Sequence, residues 1–166
     1  MRESSKCSGC SVVLPDLDGP THPYMTSSAA CFSVFTRILE AEYSDPKLQP
    51  THRLTVDTYA VQHPGTDKTR RQIQSVGLHL ARLCVQSKNL LPPRQTNDVM
   101  LRLGQYKSTL KHLSAPSRFS MTVADIEPYI GGSRHASKVK EWAMRTWEDW
   151  ADHHDYISDW VARHLH

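Results

Sequence analysis

The chain has 166 residues, of which 39% are hydrophobic and 22% are charged, and its formal net charge at pH 7 is +3. A chain of this length buries about two thirds of its unfolded surface, so it can fold as one domain without a metal or a disulfide. No apolar run approaches the roughly 20 residues of a membrane-spanning helix, and the positive excess is too small and too scattered to favour nucleic-acid binding. We therefore expect one globular domain, residues 1–166, whose partner is a small molecule or another protein.

The N-terminal segment, residues 1–26, carries charged residues and no apolar stretch of the kind found in a secretory signal. We therefore expect a cytoplasmic protein, in which thiols stay reduced. In such a compartment a Cys-x-x-Cys pair is more typical of a metal or redox site than of a disulfide. Prolines and short polar runs recur up to residue 26, and they predict an irregular segment that contains the first cysteines.

Beyond residue 26, apolar residues recur at helical spacing through most of the chain. The first such run follows Ser27 and Ser28, either of which can cap a helix by accepting a hydrogen bond from its first turn. A Leu-Pro-Pro sequence at 91–93 interrupts the pattern, and residues 115–132 predict mostly loop with one turn capped by Thr122. The predicted helices run over about 27–43, 67–87, 97–113 and 133–164.

Residues 51–63 alternate like a strand but also mark one face of a helix. We interpret them as a helix, because Pro64-Gly65 provides a stop and another helix follows. The predicted fold class is mainly α: an irregular single-domain helical bundle, with one helical part over 27–90 and a second over 91–166. The tryptophans of the second part recur at helical spacing, which places them in the core rather than on a stacking surface.

The most specific chemical feature of the sequence is the tight cysteine pair in Cys7-Ser8-Gly9-Cys10. Gly9 allows a turn with positive φ, so both thiols can reach a single ion. Thiolates with this spacing are typical ligands of zinc, which is the predicted cofactor. The pair is half of a zinc site, and no second pair of this kind follows it.

Two residues are predicted to complete the zinc site, Cys31 and His22. Cys31 lies in the first turn of the first predicted helix, where the helix N-terminus favours the thiolate. With His22 as the fourth ligand the site is tetrahedral, and the turn at His63 is an alternative source of that ligand. Cys84 falls on the apolar stripe of the 67–87 helix, which predicts a buried core residue instead.

A polar block from Asp57 to Gly65 supplies the candidate catalytic residues Asp57, Tyr59 and His63, with Gln62 beside them. In a helix, Tyr59 and His63 share one face, and His63 stands at its C-terminal end. An ion with an open position would activate water, with His63 as proton shuttle and Asp57 as its orienting group, as in a metal-dependent hydrolase. Four protein ligands would instead make the zinc structural, in a non-catalytic interaction module.

A metal-free thiol enzyme is the rival interpretation, with Cys31 as nucleophile, His63 as base and Asp57 orienting the imidazole. The sequence has no phosphate-binding glycine loop, no HExxH and no GxSxG, which disfavours nucleotide hydrolases and the common metalloproteases. Whether the protein is an enzyme therefore stays open.

Pairing the 51–63 and 67–87 helices around Gly65 suggests one weaker alternative for a metal site. Equal residue counts from this turn place His79 level with His52, and Asp57 level with Ile73. A site with two histidines and one carboxylate, from His52, Asp57 and His79, would then span more than one helical turn.

Four sequence blocks carry a family resemblance, and they are the Cys7-x-x-Cys10 start, His22-Pro23-Tyr24 with Ser27-Ser28 and Cys31, the block from Val56 to Gly65, and Gln74-Ser75-Val76 with His79-Leu80. With these blocks the chain resembles an uncharacterised bacterial family known only as a domain of unknown function, and the likeness covers most of the chain. The resemblance implies a self-contained small bacterial protein. It implies no activity, substrate or cofactor.

Overall fold

In the computed structural model, which describes residues 3–89 and 93–165, the chain begins with a short antiparallel hairpin. Strand β1 covers Ser4–Lys6 and strand β2 covers Val13–Pro15, with Lys6 paired to Val13. The turn between them closes through a hydrogen bond from Cys7 N to Val12 O of 2.8 Å. The predicted irregular segment thus contains a hairpin whose strands, of three residues each, are too short to show an alternating pattern.

Seven α-helices follow the hairpin in the described part of the chain. They agree with the predicted mainly α, single-domain fold class, and four short 3₁₀ turns join or extend them. Helix α2 occupies the middle of the bundle, since it packs on α1, α3 and α6. The helices are α1 (Ala29–Ser44), α2 (His52–Gln62), α3 (Arg70–Asn89), α4 (Pro93–Gly104), α5 (Val123–Ile126), α6 (His135–Asp149) and α7 (His154–Leu165).

The ends of α1 and α2 lie where the sequence predicts them. Ser28 is the N-cap of α1, and its hydroxyl accepts a hydrogen bond from the Cys31 N–H at 3.2 Å. Residues 52–62 are helical, which confirms the interpretation as a helix, and His63 forms the C-cap before the Pro64-Gly65 stop. These two ends place Cys31 and His63 at fixed positions on neighbouring helices.

Two predicted helices differ from the observed ones. The fourth helix is α4, which starts at Pro93 and ends at Gly104, rather than spanning 97–113. Proline fits the first turn of a helix because its missing N–H needs no partner there, and the chain continues past Gly104 into a 3₁₀ turn, Lys107–Thr109.

The predicted helix over 133–164 is in fact two helices, α6 and α7, separated by the 3₁₀ turn Ala151–His153. The break lets α6 pack against α2 while α7 packs against α3 and α4.

All four tryptophans are buried, as their spacing predicts, and they are Trp142, Trp147, Trp150 and Trp160. Among the helices in the described ranges, none has the length and apolar character that crossing a membrane would require.

Candidate metal centre

Three separate elements bring four potential metal ligands together. Cys7 and Cys10 come from the turn after β1, Cys31 from the first turn of α1, and His63 from the C-cap of α2. One ligand atom from each of these residues lies within 4.8 Å of the other three. All four side chains are at most 3% exposed. We call this group the Cys3His cluster.

The distances within the Cys3His cluster suit a tetrahedral ion. Zinc binds thiolate sulfur at about 2.3 Å and imidazole nitrogen at about 2.0 Å, so a tetrahedron has S···S edges of about 3.8 Å and S···N edges of about 3.5 Å. Cys10 Sγ and Cys31 Sγ are 3.8 Å apart, and Cys31 Sγ lies 3.4 Å from His63 Nε2. These two spacings are compatible with a tetrahedral metal site.

The protonation of His63 also suits metal binding. Its Nδ1 lies 2.7 Å from the carbonyl oxygen of Tyr59, one helical turn earlier. A carbonyl only accepts hydrogen bonds, so Nδ1 carries the proton and Nε2 presents its lone pair to the thiols. The ring stacks on Tyr59 with centroids 3.9 Å apart, which fixes its orientation. Metal-bound histidines are commonly oriented by such a bond from the second ring nitrogen.

Gly9 lets the cysteine turn approach the end of α2. A Cβ at this position would lie 2.5 Å from Thr26 O and in severe contact with the His63 ring. No L-amino acid with a side chain fits there without moving backbone. The absence of a side chain at Gly9 is therefore what allows the two thiols of the turn to reach His63.

The three thiols of the cluster strongly affect one another's protonation. Hydrogen bonds from Cys10 and Cys31 hold the pKa of Cys7 far below its ordinary value, despite burial. A hydrogen bond with Cys31 lowers the pKa of Cys10. The hydrogen bond of Cys10 with Cys7, its burial and the charge of Cys7 act in the opposite direction, and together they raise the pKa of Cys10 to about 12. Hydrogen bonds to Cys10 and Cys7, followed by burial, raise the pKa of Cys31 well above its usual range. If all three thiols were ionised, like charges would lie in contact, and a bound cation would offset their repulsion.

Two further donors point at the cluster sulfurs. The Ser28 N–H lies 3.4 Å from Cys7 Sγ, and the Tyr59 hydroxyl lies 3.7 Å from Cys31 Sγ. Burial, followed by the charge of Cys31, raises the pKa of Tyr59, so its hydroxyl keeps its proton and can donate. Both donors stabilise negative charge on sulfur, as expected around metal-bound thiolates.

The structure brings three of the four predicted metal ligands together, and places His22 elsewhere. The Tyr24 N–H donates to His22 Nδ1 at 3.3 Å, and the two rings meet edge to face at 4.4 Å. His63 occupies the fourth position of the cluster. The signal for His63 in the sequence is its place four residues after Tyr59, directly before the Pro-Gly stop.

Asp57 does not orient His63, contrary to the predicted arrangement. Its fully buried carboxylate accepts from His79 Nδ1 at 2.7 Å, from Arg82 at 2.9 Å and from Gln86 at 3.1 Å. The Tyr59 carbonyl orients His63 instead, so the predicted role of Asp57 as the orienting group of His63 is wrong.

The alternative site from His52, Asp57 and His79 is also incomplete. Asp57 and His79 do meet, but His52 pairs with Glu42 at 3.4 Å. Residues 64–69 form a loop rather than helical turns, so equal residue counts from Gly65 do not correspond to equal heights on the two helices. The predicted register of α2 against α3 is therefore wrong.

Tyr59 and Gln62 differ in their relation to the cluster. Tyr59 lies between Phe35 and His63, and its ring stacks on Phe35 with centroids 3.8 Å apart. The Gln62 amide donates to Met121 O at 2.7 Å and to Thr146 Oγ1 at 2.8 Å, which ties α2 to α6. Tyr59 therefore supports the cluster directly, while Gln62 holds the bundle together.

The fold and the cluster define a mainly helical protein with a buried group of three thiols and one imidazole. Comparison with known families shows a match to the family of unknown function DUF5946 over residues 5–151, and the chain belongs to this family. The matched range includes all four residues of the Cys3His cluster. No curated protein and no solved structure matches the chain significantly.

Proposed function

We propose that the protein binds one zinc ion through Cys7, Cys10, Cys31 and His63, and that this ion is structural. The supporting observation is the convergence of four buried ligand atoms within 4.8 Å, at spacings that fit a tetrahedral shell. The ion would join the N-terminal hairpin to the start of α1 and the end of α2. It would thereby fix a segment that has little core of its own.

The donor set favours zinc over other divalent ions. Thiolate and imidazole ligands in a tetrahedral arrangement suit zinc, whereas magnesium and calcium prefer oxygen ligands in larger shells. Three thiolates around Zn²⁺ leave one net negative charge. The N–H of Ser28 and the hydroxyl of Tyr59, which point at two of the sulfurs, offset that charge.

A closed shell argues against a hydrolase centred on this ion. A catalytic zinc keeps one position for water, whereas here protein side chains supply all four ligands. No ligand residue is more than 3% exposed, so a substrate has no path to the ion. We therefore propose that zinc supports the fold and that any chemistry takes place elsewhere.

A thiol enzyme is the second candidate, and one contact favours it. Cys31 Sγ and His63 Nε2 are 3.4 Å apart, which is close to the spacing of a nucleophile and its base. Against it stand the complete burial of Cys31 and the raised pKa of its thiol, both of which oppose reactivity. Alkylation at neutral pH separates the two candidates. The zinc proposal expects Cys31 to be inert until the metal is removed, and rapid selective labelling of Cys31 in metal-loaded protein would favour the enzyme.

A reducing compartment such as the cytoplasm suits the proposed centre, because thiols must stay reduced to bind the ion. The four cysteines Cys7, Cys10, Cys31 and Cys84 are all free thiols. We propose such a compartment for the protein on this chemical ground.

Metal analysis of protein purified without an affinity tag tests the zinc proposal. We expect one zinc ion per chain, and we expect Cys7→Ser to lose it. Cys84→Ser is the matched control, because Cys84 is equally buried but faces Ser158 at 3.7 Å rather than the cluster. Native protein that holds no zinc, even after reconstitution with excess ion, would overturn the proposal, as would equal losses in the two variants.

A further inference from the structure

A second feature of the molecule is a cavity of about 260 Å³ along the exposed side of α3. It contains none of the four residues of the Cys3His cluster, and no carboxylate of the described residues lines it. Its wall combines cationic, hydroxyl and imidazole groups, including Tyr24, Arg71, Ser75, His79, Arg82 and Lys107.

The charges around this cavity are unbalanced. Arg71, Arg82 and Lys107 contribute three positive charges, and Asp57, buried behind the wall, contributes one negative charge through its pairing with Arg82. Within the described ranges, Arg71 and Lys107 form no ion pair. Three positive charges minus one negative charge leave the cavity with a net charge of about +2, His79 being counted as neutral.

The buried carboxylate of Asp57 fixes two of the lining side chains. Because a carboxylate accepts, His79 Nδ1 carries the proton of their 2.7 Å bond, so Nε2 of the neutral ring is an acceptor that suits a hydroxyl of the organic part of a ligand rather than a phosphate oxygen. Arg82 Nη1 donates to the same oxygen, while its buried Nε has no hydrogen-bond partner among the described residues. Asp57 therefore holds the His79 ring and the Arg82 guanidinium at fixed positions in the wall of the cavity.

At the rim, contacts hold the backbone that carries Lys107 and the guanidinium of Arg71. Arg70 donates to the carbonyl oxygens of Lys107, Ser108 and Leu110 at 2.9, 2.8 and 2.7 Å, which holds the 3₁₀ turn with Lys107 against α3. The Arg71 guanidinium lies 5.5 Å from the centre of the Tyr24 ring. Groups positioned before binding lose little entropy when a ligand arrives.

We propose that this cavity binds a small phosphate monoester as its dianion. A phosphate monoester carries a charge of about −1.5 to −2 at pH 7, which matches the excess of about +2 better than a monocarboxylate does. Arginine presents a planar set of donors that suits phosphate oxygens. The volume lies near or below the lower end of ordinary small-molecule sites, so the organic part of the ligand is small.

Calorimetric titration of the full, zinc-loaded chain tests this proposal with glycerol 3-phosphate, inorganic phosphate and acetate at constant ionic strength. We expect saturable binding of the phosphate monoester at one site, about tenfold or more tighter than acetate. Binding of inorganic phosphate also supports the dianion site. Comparison of the two dissociation constants then shows whether the cavity prefers a phosphate monoester or free inorganic phosphate.

Variants at the rim assign the binding to this cavity. We expect Arg71→Gln and Lys107→Gln each to weaken phosphate binding about fivefold or more, because each removes a charged contact. The matched controls are Arg53→Gln on α2 and Lys140→Gln on α6, which are exposed and do not line the cavity. Arg82 is left intact, because its loss would leave Asp57 without its ion pair.

Three results would overturn the proposal. The first is a lack of saturable phosphate binding up to about 10 mM. The second is affinity for acetate equal to that for the phosphates, and the third is unchanged binding in both rim variants. The zinc proposal survives all three results, since the cavity shares no residue with the cluster.

Discussion

Gly9 lies where the cysteine turn meets the end of α2, with no room for even a methyl group. A Cβ there would lie 2.5 Å from the backbone oxygen of Thr26 and would clash with the His63 ring. We expect Gly9→Ala to displace the turn, to weaken zinc binding about tenfold or more, and to lower the free energy of unfolding by about 1–3 kcal/mol. Zinc competition with a chelator and urea unfolding of the loaded protein measure the two effects.

Gly104→Ala is the control for the glycine prediction. No atom of residues 3–89 or 93–165 lies within 4 Å of a Cβ at Gly104, which is the last residue of α4. We expect zinc affinity to stay unchanged and stability to stay within about 1 kcal/mol, since alanine favours helix. Similar losses of zinc affinity at both glycines would contradict the proposed role of Gly9.

At the scale of residues, the sequence pointed to three of the four side chains that meet in the Cys3His cluster. The spacing of Cys7 and Cys10 indicated a shared ion, and the helix cap at Ser28 placed Cys31 at a helix start. The sequence favoured His22 as the fourth member of the cluster, because His22 lies closer to the three cysteines along the chain. In the folded structure the histidine next to the three thiols is His63. When the members of a cluster come from three different elements, the distance between residues along the chain does not indicate which histidine lies beside the thiols.

At the scale of elements, Glu42 joins three helical segments through a buried carboxylate. Glu42 belongs to α1, and its Oε1 accepts from Thr55 of α2, from His135 of α6 at 3.0 Å and from Thr51 at 3.3 Å. The side chain is fully buried, and its Oε2 lies 3.4 Å from His52 Nδ1. Removal of the carboxylate would leave several buried donors without an acceptor.

We therefore expect Glu42→Ala to lower the free energy of unfolding by about 3–5 kcal/mol, as for other buried ionic groups that lose a partner. Glu40→Ala, at an exposed position of the same helix, should change stability by about 0.5 kcal/mol or less. Urea unfolding of both variants in the zinc-loaded form measures the difference. An equal effect of the two substitutions would show that the Glu42 network does not stabilise the bundle.

The sequence predicted the helices well where a local signal marks their ends. Ser28 at the start of α1 and Pro64-Gly65 after α2 are such signals. The last helix was predicted as one element because its apolar spacing continues through Trp150. Only the packing of α6 on α2 and of α7 on α3 and α4 makes a break there favourable.

At the scale of the whole molecule, the proposed zinc binding would couple the fold to pH. Without the ion, the raised pKa values of Cys10 and Cys31 keep both thiols protonated at neutral pH, while Cys7 is already ionised. Zinc binding must then release about two protons, so affinity rises about hundredfold for each unit of rising pH. Because the proposed ion would bind the native state, the stability that it provides would fall as the pH falls.

Competition with a calibrated chelator between about pH 6.5 and 8 measures this dependence, and thermal unfolding with and without chelator measures the stabilisation. We expect the melting temperature to drop when zinc is removed, and the difference to shrink at lower pH. A zinc affinity that does not change with pH would contradict the proposed ligation by thiols that are protonated without the ion.

The sequence by itself determined the features that depend on neighbours within a few residues. These include the mainly helical class, the caps of α1 and α2, the shared face of Tyr59 and His63, and the burial of the tryptophans. Such features follow from helical periodicity, turn chemistry and hydrogen bonds between adjacent turns.

Only the tertiary structure decided which distant groups meet. It placed His63 rather than His22 at the thiols, paired Asp57 with His79 and Arg82, and formed the cationic cavity along α3. The register between packed helices depends on loop length and on how side chains fit together, and neither is encoded in any single segment. The cysteine pair therefore predicted a metal site, and the packing of α2 decided which histidine joins the three thiols of the candidate site.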